Sequence, residues 1–376
     1  MKSVQKKLIL SVIIVIILSL GFYLIWKKIA GTQEGDDFLP ANGFPENPLD
    51  GGDVTKTSAG PTLKRLSDQE VTDFWLVEET GEIYYINYSG NILIAKDGPD
   101  LEVSKQNVSA INSSETSPST RKILVAFSDP LSPQWGIFDI FDKVWRPLPS
   151  EILVASWGAS DDKLVALVKN SGKTDLVEVD LTKTPPANKI LLGDFGFKDI
   201  RLIFNPPDKI LIVEKTSADY QGRLWQFNIL TQNLNLMISG EKGLSLYASP
   251  QKDFFLKYSS DNGLDILTPE LAPTMESPLN TLPQKCGFGE GAAIYCFEPI
   301  VWPPDAELPD DYLVGKIYTV DDLFEIDPLG EGRYSRVFRS GENNLQLVDG
   351  EKPTLAGGNV YFVNRFDNRL YSVTLP

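Results

Sequence analysis

The chain of 376 residues contains no histidine. Histidine is the usual general base near neutral pH, the partner of nucleophilic serine and cysteine, and a common ligand of zinc and haem iron. Sites of these classes are therefore excluded, and the remaining acid–base chemistry would use the 51 aspartate and glutamate side chains. A glycosidase needs two carboxyl groups about 5 to 9.5 Å apart, but no spacing in the sequence selects a pair. We predict no catalytic residue and no cofactor, and keep an enzyme that acts on carbohydrate with carboxylates alone as the alternative function.

A long loop that combines aromatic and acidic residues is the best candidate for a binding surface. It begins at Pro299 and reaches Tyr312. Inserted loops commonly carry binding, and tryptophan and tyrosine dominate interface hot spots. The predicted binding residues are Trp302, Asp305, Glu307, Asp310, Asp311 and Tyr312. A lid packed across a channel or a neighbouring blade is an equally good interpretation.

The acidic residues of this loop could also supply oxygen ligands to calcium, with Asp321 and Asp322 following them. Ordered calcium loops follow the pattern Asp-x-Asp-x-Asp-Gly, which this sequence lacks. We assign no metal ligand, and calcium binding stays an open alternative.

The two cysteines, Cys286 and Cys296, are predicted to form a disulfide. A hairpin centred on Gly291 places them opposite each other, with Phe288 facing Ile294 on the same side. Opposed strand residues lie about 4.5 to 5.5 Å apart, within the span of a disulfide. Two buried thiols in one apolar patch are the competing interpretation. A disulfide would indicate a location outside the cytoplasm.

The elements that must position these residues follow a strand cycle that recurs seven times after residue 70. Each cycle contains a short apolar strand closed by a polar residue, at 91–97, 137–142, 176–180, 224–228, 264–268, 323–327 and 370–374. Most steps are close to the roughly 40 to 50 residues of a four-stranded blade, and the longest step contains the aromatic and acidic loop. Continuous apolar runs suit strands that are covered on both faces. The pattern predicts an all-β, seven-bladed β-propeller.

The two ends of the propeller complement each other. The last cycle stops after its third strand, whereas residues 62–66 precede the first cycle and have no place in it. We predict that this segment pairs with the strand at 370–375 as the outer strand of blade seven, which would close the ring. The alternative is a disordered lead-in.

The first 30 residues predict a membrane anchor. Residues 8–26 are an uninterrupted apolar run, about long enough to span the hydrocarbon core of a bilayer. A cleaved signal peptide has a shorter apolar stretch and a small-residue cleavage site, whereas Lys27 and Lys28 follow directly here. We predict an uncleaved transmembrane helix that contacts the lipid bilayer. Its amino terminus would be cytoplasmic, and residues 31–376, which include the propeller, would be extracytoplasmic.

The segment between anchor and propeller is predicted to be flexible. Residues 31–61 are rich in glycine, proline and acids, and cannot bury enough apolar surface to offset the entropy of ordering. The first 30 residues hold five basic and no acidic side chains, so the rest has a formal charge of −21, against −16 for the whole chain. A surface this acidic repels phosphate backbones, which argues against nucleic acid as a partner.

Several turn motifs resemble those of TolB-type, WD40-like propellers over roughly residues 62–376. An aromatic residue, a small residue and a polar or proline turn recur at 157–161, 204–208 and 247–251, and Gly357-Gly358 stands in the last blade. The chain departs from the eukaryotic WD40 pattern because it has neither a Trp-Asp dipeptide nor a Gly-His pair. The resemblance implies the fold but carries over no function.

A closer likeness is to uncharacterised, membrane-anchored propeller proteins of small-genome uncultured bacteria. It rests on Lys285-Cys286 with Tyr295-Cys296, on 309–312 and on 361–364. This likeness implies a protein of the cell envelope and identifies no catalytic residue. The predicted function is thus an anchored binding or scaffolding module, whose partner is an envelope protein, peptide or polymer. A face rich in aromatics and loops would favour this function, and a cleft with two close carboxylates would favour the enzyme.

Overall fold

The computed structural model describes residues 61–375, except residues 198, 290–291, 330–332 and 343–345. The described residues form seven four-stranded antiparallel sheets, so the predicted seven-bladed propeller is confirmed. The predicted cytoplasmic tip, the anchor over 8–26 and the linker up to residue 60 lie outside the described residues. Within the described part of the chain, no helix is both long enough and apolar enough to cross a membrane.

Strands of one blade follow each other in the chain. Blade 1 contains β2 (Val71–Leu76), β3 (Ile83–Asn87), β4 (Ile92–Ile94) and β5 (Leu101–Glu102). Blade 2 contains β6 (Ile111–Thr116), β7 (Lys122–Phe127), β8 (Gln134–Asp139) and β9 (Val144–Pro147). Blade 3 contains β10 (Ile152–Trp157), β11 (Lys163–Asn170), β12 (Lys173–Asp180) and β13 (Ala187–Leu192). Blade 4 contains β14 (Ile200–Asn205), β15 (Lys209–Glu214), β16 (Gln221–Asn228) and β17 (Leu234–Lys242).

The remaining blades contain the short helical elements and the closure of the ring. Blade 5 contains β18 (Ser245–Ala248), β19 (Phe255–Ser259), β20 (Gly263–Leu267) and β21 (Pro273–Glu276). Blade 6 contains β22 (Cys286–Phe288), β23 (Ile294–Pro299), β24 (Asp321–Asp327) and β25 (Arg333–Phe338). A 3-10 turn (Pro283–Lys285) precedes β22, and helix α1 (Asp310–Leu313) lies between β23 and β24. Blade 7 contains β26 (Gly350–Ala356), β27 (Asn359–Asn364), β28 (Arg369–Thr374) and β1 (Leu63–Arg65).

Strand β11 shows why these sequences form stacked blades. Residues 164–168, Leu-Val-Ala-Leu-Val, are all buried, because both faces of the strand pack against a neighbouring blade. The turn into β12 consists of Ser171 and Gly172, which both have positive φ angles, 47° and 84°. Two such residues form the type I′ turn whose twist matches an antiparallel hairpin.

The apolar core lies between the blades. Each buried apolar cluster of the described chain joins two successive blades, from blades 1 and 2 through to blades 7 and 1. Trp75 and Phe138 share one of these clusters, and Tyr85 and Leu370 share the cluster that joins the last blade to the first. Burying side chains of this size contributes roughly 1.5 to 3 kcal/mol each, so blade-to-blade packing is the main source of stability.

The predicted closure of the ring is confirmed. Strand β1 pairs antiparallel with β28, with Leu63 opposite Val373 and Arg65 opposite Tyr371. The pairing continues beyond the strand, because the Leu66 N–H donates to the Leu370 carbonyl over 2.7 Å. The first described strand of the chain therefore completes the last blade.

The predicted disulfide and its register are also confirmed. Cys286 lies opposite Cys296 and Phe288 opposite Ile294, and the two cysteines form a disulfide with their Cα atoms 4.0 Å apart. Between them, Gly287 lies so close to blade 7 that a Cβ atom there would come within 1.6 Å of the Pro353 carbonyl oxygen. Only glycine allows this approach of β22 to β26.

One face of the propeller carries the long loop found in the sequence. In four-stranded antiparallel blades, the connections from second to third strand share a face with the connections between blades. Residues 300–320 connect β23 to β24, whereas residues 171–172 make the equivalent connection in blade 3. We call residues 300–320 the insertion and this side of the propeller the insertion face.

Candidate functional site

The insertion is fixed to blades 4 and 5 by hydrogen bonds. The Asp310 carboxylate accepts hydrogen bonds from the Ser217 hydroxyl, over 2.9 Å, and from the Ala218 N–H, over 3.1 Å. The Leu308 carbonyl accepts from the Ser260 hydroxyl over 2.7 Å. The insertion therefore leaves blade 6 and packs across two neighbouring blades.

On its other side, the insertion is fixed by a buried cluster of charges. The Lys285 side chain is 0% exposed, and its ammonium group lies 2.6 Å from both Asp321 and Asp349. The Arg365 guanidinium pairs with Asp349 over 3.0 Å and donates to the carbonyl of Tyr312 over 3.2 Å. The cluster joins the start of β22, the end of the insertion and blade 7.

Tyr312 packs between the two cations of this cluster. Its ring lies 3.9 Å from the Arg365 guanidinium carbon and 4.9 Å from the Lys285 nitrogen. Cation–π contacts of this kind strengthen when they are removed from water, and the Tyr312 side chain is only 2% exposed. Burial, followed by the Glu351 charge, raises the pKa of Tyr312 well above its ordinary value.

The pKa of Asp321 shows the balance of forces in the cluster. Burial raises this pKa, the Lys285 ammonium opposes the rise, and the nearby Asp349 carboxylate adds to it, so that the result is about 6. Two carboxylates that share one buried ammonium repel each other. The cluster therefore holds its charges at a cost, and only while every partner is present.

A cavity of about 710 Å³ opens beside the insertion. Its wall combines tyrosine rings, amide side chains, prolines and a few charged groups. Among the residues that line it are Tyr247, Gln284, Tyr312, Tyr318, Glu351, Lys352 and Arg365. This volume falls within the range of roughly 300 to 1,000 Å³ that is usual for ligand pockets.

Exposed apolar side chains surround the cavity on the insertion face. Val314 is 76% and Tyr88 60% exposed, and Leu313 and Tyr318 are also exposed; all four line the cavity. The Phe366 ring stacks on the Tyr318 ring with centroids 6.1 Å apart. We call Tyr88, Leu313, Val314, Tyr318 and Phe366 the apolar rim.

The predicted aromatic binding residues are largely packed inside the insertion. The Trp302 ring is half-buried, contacts the Tyr312 ring edge-on at 6.1 Å, and donates from its indole N–H to the Asn280 carbonyl over 3.0 Å. Tyr312 is buried between Lys285 and Arg365. A partner could therefore contact only the small part of Tyr312 that lines the cavity. The main role of the ring is to support the insertion.

The predicted acidic binding residues separate into two groups. Asp310 and Asp311 hold the insertion in place: Asp311 pairs with Lys316 over 2.9 Å and accepts from the Glu307 N–H. The Lys316 hydrogen bond holds the pKa of Asp311 below its ordinary value. Asp305 and Glu307 have exposed side chains. Among the described residues, no group of three or more acidic, histidine or cysteine side chains could hold a metal ion.

Sequence reasoning missed the groups that organise this face. Lys285 and Asp349 lie far apart in the chain, and Arg365 belongs to the β27–β28 turn of another blade. The sequence gives only a weak indication of the apolar rim: two of its apolar residues, Leu313 and Val314, directly follow the loop that was selected as a binding surface.

Comparisons with known proteins support the fold. The chain matches no protein-family model, and no curated protein matches it. Among solved structures, the β-propeller domain of Cps50 (Swd1) from Myceliophteria thermophila is 10% identical, with a TM-score of 0.57 over 84% of this chain and 100% of that one. An oligogalacturonate lyase from Vibrio parahaemolyticus is 11% identical, with a TM-score of 0.51 over 85% and 99%.

TolB from Acinetobacter baumannii also matches, with 12% identity and a TM-score of 0.39 over 68% of this chain and 63% of that one. At 10% and 11% identity, the two matches with TM-scores above 0.5 show the β-propeller fold alone.

Replacing Lys285 with methionine tests the buried cluster. The variant leaves Asp321 and Asp349 without their shared counter-ion, and we expect a loss of about 3 to 5 kcal/mol in the free energy of unfolding at pH 8. A carboxyl whose pKa is raised in the folded state stabilises the fold when it is protonated. Lys285 opposes the rise in the pKa of Asp321, so this pKa lies higher still in the variant, where a proton can offset the lost counter-ion. The loss should therefore be smaller at pH 5 than at pH 8.

The matched control is Lys316→Met, since the Lys316 side chain is 64% exposed in its pair with Asp311. We expect this change to cost no more than about 1 kcal/mol. Denaturant unfolding at pH 5 and pH 8 measures both variants. An equal loss at both pH values for Lys285→Met would contradict a charge-dependent cluster.

Proposed function

We propose that this protein is an anchored binding module of the cell envelope, which holds a protein partner on its insertion face. The apolar rim carries the proposal. Exposed, contiguous apolar surface with a polar surround marks interaction sites on soluble domains, and tyrosine is enriched in the residues that dominate interfaces. The rim is held by a rigid insertion, so little ordering is required when a partner binds.

The composition of the cavity wall favours binding over the alternative enzyme. Of the described residues that line the cavity, Glu351 is the one with a carboxylate side chain, and it lies 3.6 Å from the Arg365 guanidinium. A glycosidase needs a second carboxyl group about 5 to 9.5 Å away. The described residues of the cavity wall therefore do not provide the pair of close carboxyl groups that would favour the enzyme.

The proposed location is the outer side of the cytoplasmic membrane, with residues 8–26 as the anchor. The Cys286–Cys296 disulfide supports it, because disulfides persist outside the cytoplasm and are rare within it. The apolar run and its flanking lysines support the anchor.

Replacement of Val314 by aspartate should prevent partner binding without unfolding the protein. Val314 is 76% exposed, so a charge there is solvated in the free protein and is desolvated only in a complex. The matched control is Leu230→Asp, since Leu230 is 78% exposed and lies on the opposite face, in the β16–β17 connection. Proximity labelling in the native cell first identifies the partner, whose affinity for each purified variant is then measured.

We expect Val314→Asp to weaken that affinity at least about tenfold, as for an interface position that costs more than 1 kcal/mol. Leu230→Asp should bind like the unmodified protein, and both variants should keep its melting temperature. Equal affinity of the two variants would contradict a partner site on the insertion face.

The location is tested by alkylating intact cells in the absence of reductant, followed by mass spectrometry of the protein. We expect Cys286 and Cys296 to be unmodified until a reductant is added. Two alkylated cysteines in unreduced material would remove the disulfide as support for an extracytoplasmic propeller.

A further inference from the structure

Exposed carboxylates lie directly beside the apolar rim. Ala218 and Ser260, whose hydrogen bonds hold the insertion, are each followed by an exposed aspartate, and two further exposed acids precede helix α1. Val314 of the rim lies one helical turn away, because its N–H donates to the Asp310 carbonyl over 3.0 Å. We call these four exposed acids the acidic border: Asp219, Asp261, Asp305 and Glu307.

The acidic border is not neutralised within the described part of the protein. Its four side chains make no ion pair with any residue that the structure describes. Exposed carboxylates of the opposite face include several that are paired. Glu79 lies 2.7 Å from Arg121, and Asp142 lies 2.5 Å from Arg146.

Few cations accompany the acidic border. The connections 215–220 and 260–262, together with the insertion, contain six acidic but only two basic side chains, Lys215 and Lys316. Lys316 already pairs with Asp311 over 2.9 Å. This part of the insertion face therefore has an unbalanced negative charge.

The effect of this charge is visible at Tyr220, which lies in the blade 4 connection that holds the insertion and is 46% exposed. Burial raises the pKa of this tyrosine, and four carboxylates, led by Asp199 and Asp310 and including Asp219, raise it further. A negative charge is thus disfavoured here, and a positive charge on a partner would be favoured.

An apolar surface beside uncompensated acids fits one class of partner. Opposite charges across an interface speed association and exclude wrong partners, while the apolar contacts supply affinity. A second copy of this chain does not fit, because its formal charge of −16 would bring like charges together. A phosphate-rich surface is repelled for the same reason.

We propose that the partner docks through a basic segment, whose apolar side chains contact the apolar rim and whose lysine or arginine side chains pair with the acidic border. This inference rests on the proposed function, because it names the chemistry of the partner that binds the insertion face. Such pairs lie at the edge of the interface, so their contribution falls as the salt concentration rises.

The test uses the full chain in detergent micelles and a displayed library of random dodecapeptides. We expect the selected peptides to be positively charged, with lysine or arginine next to apolar residues. The dissociation constant of the tightest peptide is measured for the unmodified protein and for a variant that combines Asp219→Asn, Asp261→Asn and Glu307→Gln. We expect this variant to bind about tenfold more weakly at about 0.05 M salt, and less than about twofold more weakly at about 0.5 M salt.

A matched control combines Glu78→Gln, Asp253→Asn and Glu270→Gln. These three acids are exposed, lie on the opposite face, and form no ion pair with a described residue. The control changes the net charge by the same amount, so it should bind the peptide like the unmodified protein. Both combined variants should keep the melting temperature, because neither removes a described ion pair.

The inference is overturned if the library gives no binding peptide, or gives only uncharged or acidic ones. An equal loss of peptide affinity in the two combined variants would also overturn it, since the effect would then come from net charge alone. The partner identified by proximity labelling separates the two proposals. If Val314→Asp loses that partner while the variant of the acidic border keeps full affinity at low salt, the proposed function stands and this inference fails. If both keep it, both proposals fail.

Discussion

The insertion face depends on one buried ammonium group. Lys285 is fully buried, directly precedes the strand of the disulfide, and bonds Asp321 at the end of the insertion and Asp349 at the start of blade 7. Removing one partner of a buried ionic cluster costs several kcal/mol, because the remaining charges are left without compensation. The two blades and the end of the insertion are thus held in a single arrangement.

This arrangement separates the supporting residues of the insertion from those on its surface. Contacts within the protein hold the side chains of Asp310, Asp311 and Tyr312. The next two residues, Leu313 and Val314, are exposed to solvent. A rigid loop can expose apolar side chains because its other side supplies the stability.

The fold could be predicted from the sequence because its signals are local or repeated. The continuous apolar runs, the blade period, the orphan strand at 62–66 and the register of Cys286 with Cys296 can all be read along the chain. The site could not be predicted in the same way. Residue type identified Trp302 and Tyr312 as interface candidates, but the direction in which a side chain points depends on Lys285 and Arg365, which come from other parts of the ring.

Amide hydrogen exchange of the Lys285→Met variant at pH 8 tests the central claim most directly. If Lys285 holds the insertion, the hydrogen-bonded amides of Asp311, Leu313 and Val314 should lose most of their protection. Amides of β10 to β12 in blade 3 should lose no more protection than the fall in the global free energy of unfolding accounts for. Unchanged protection across the insertion in this variant would contradict the account.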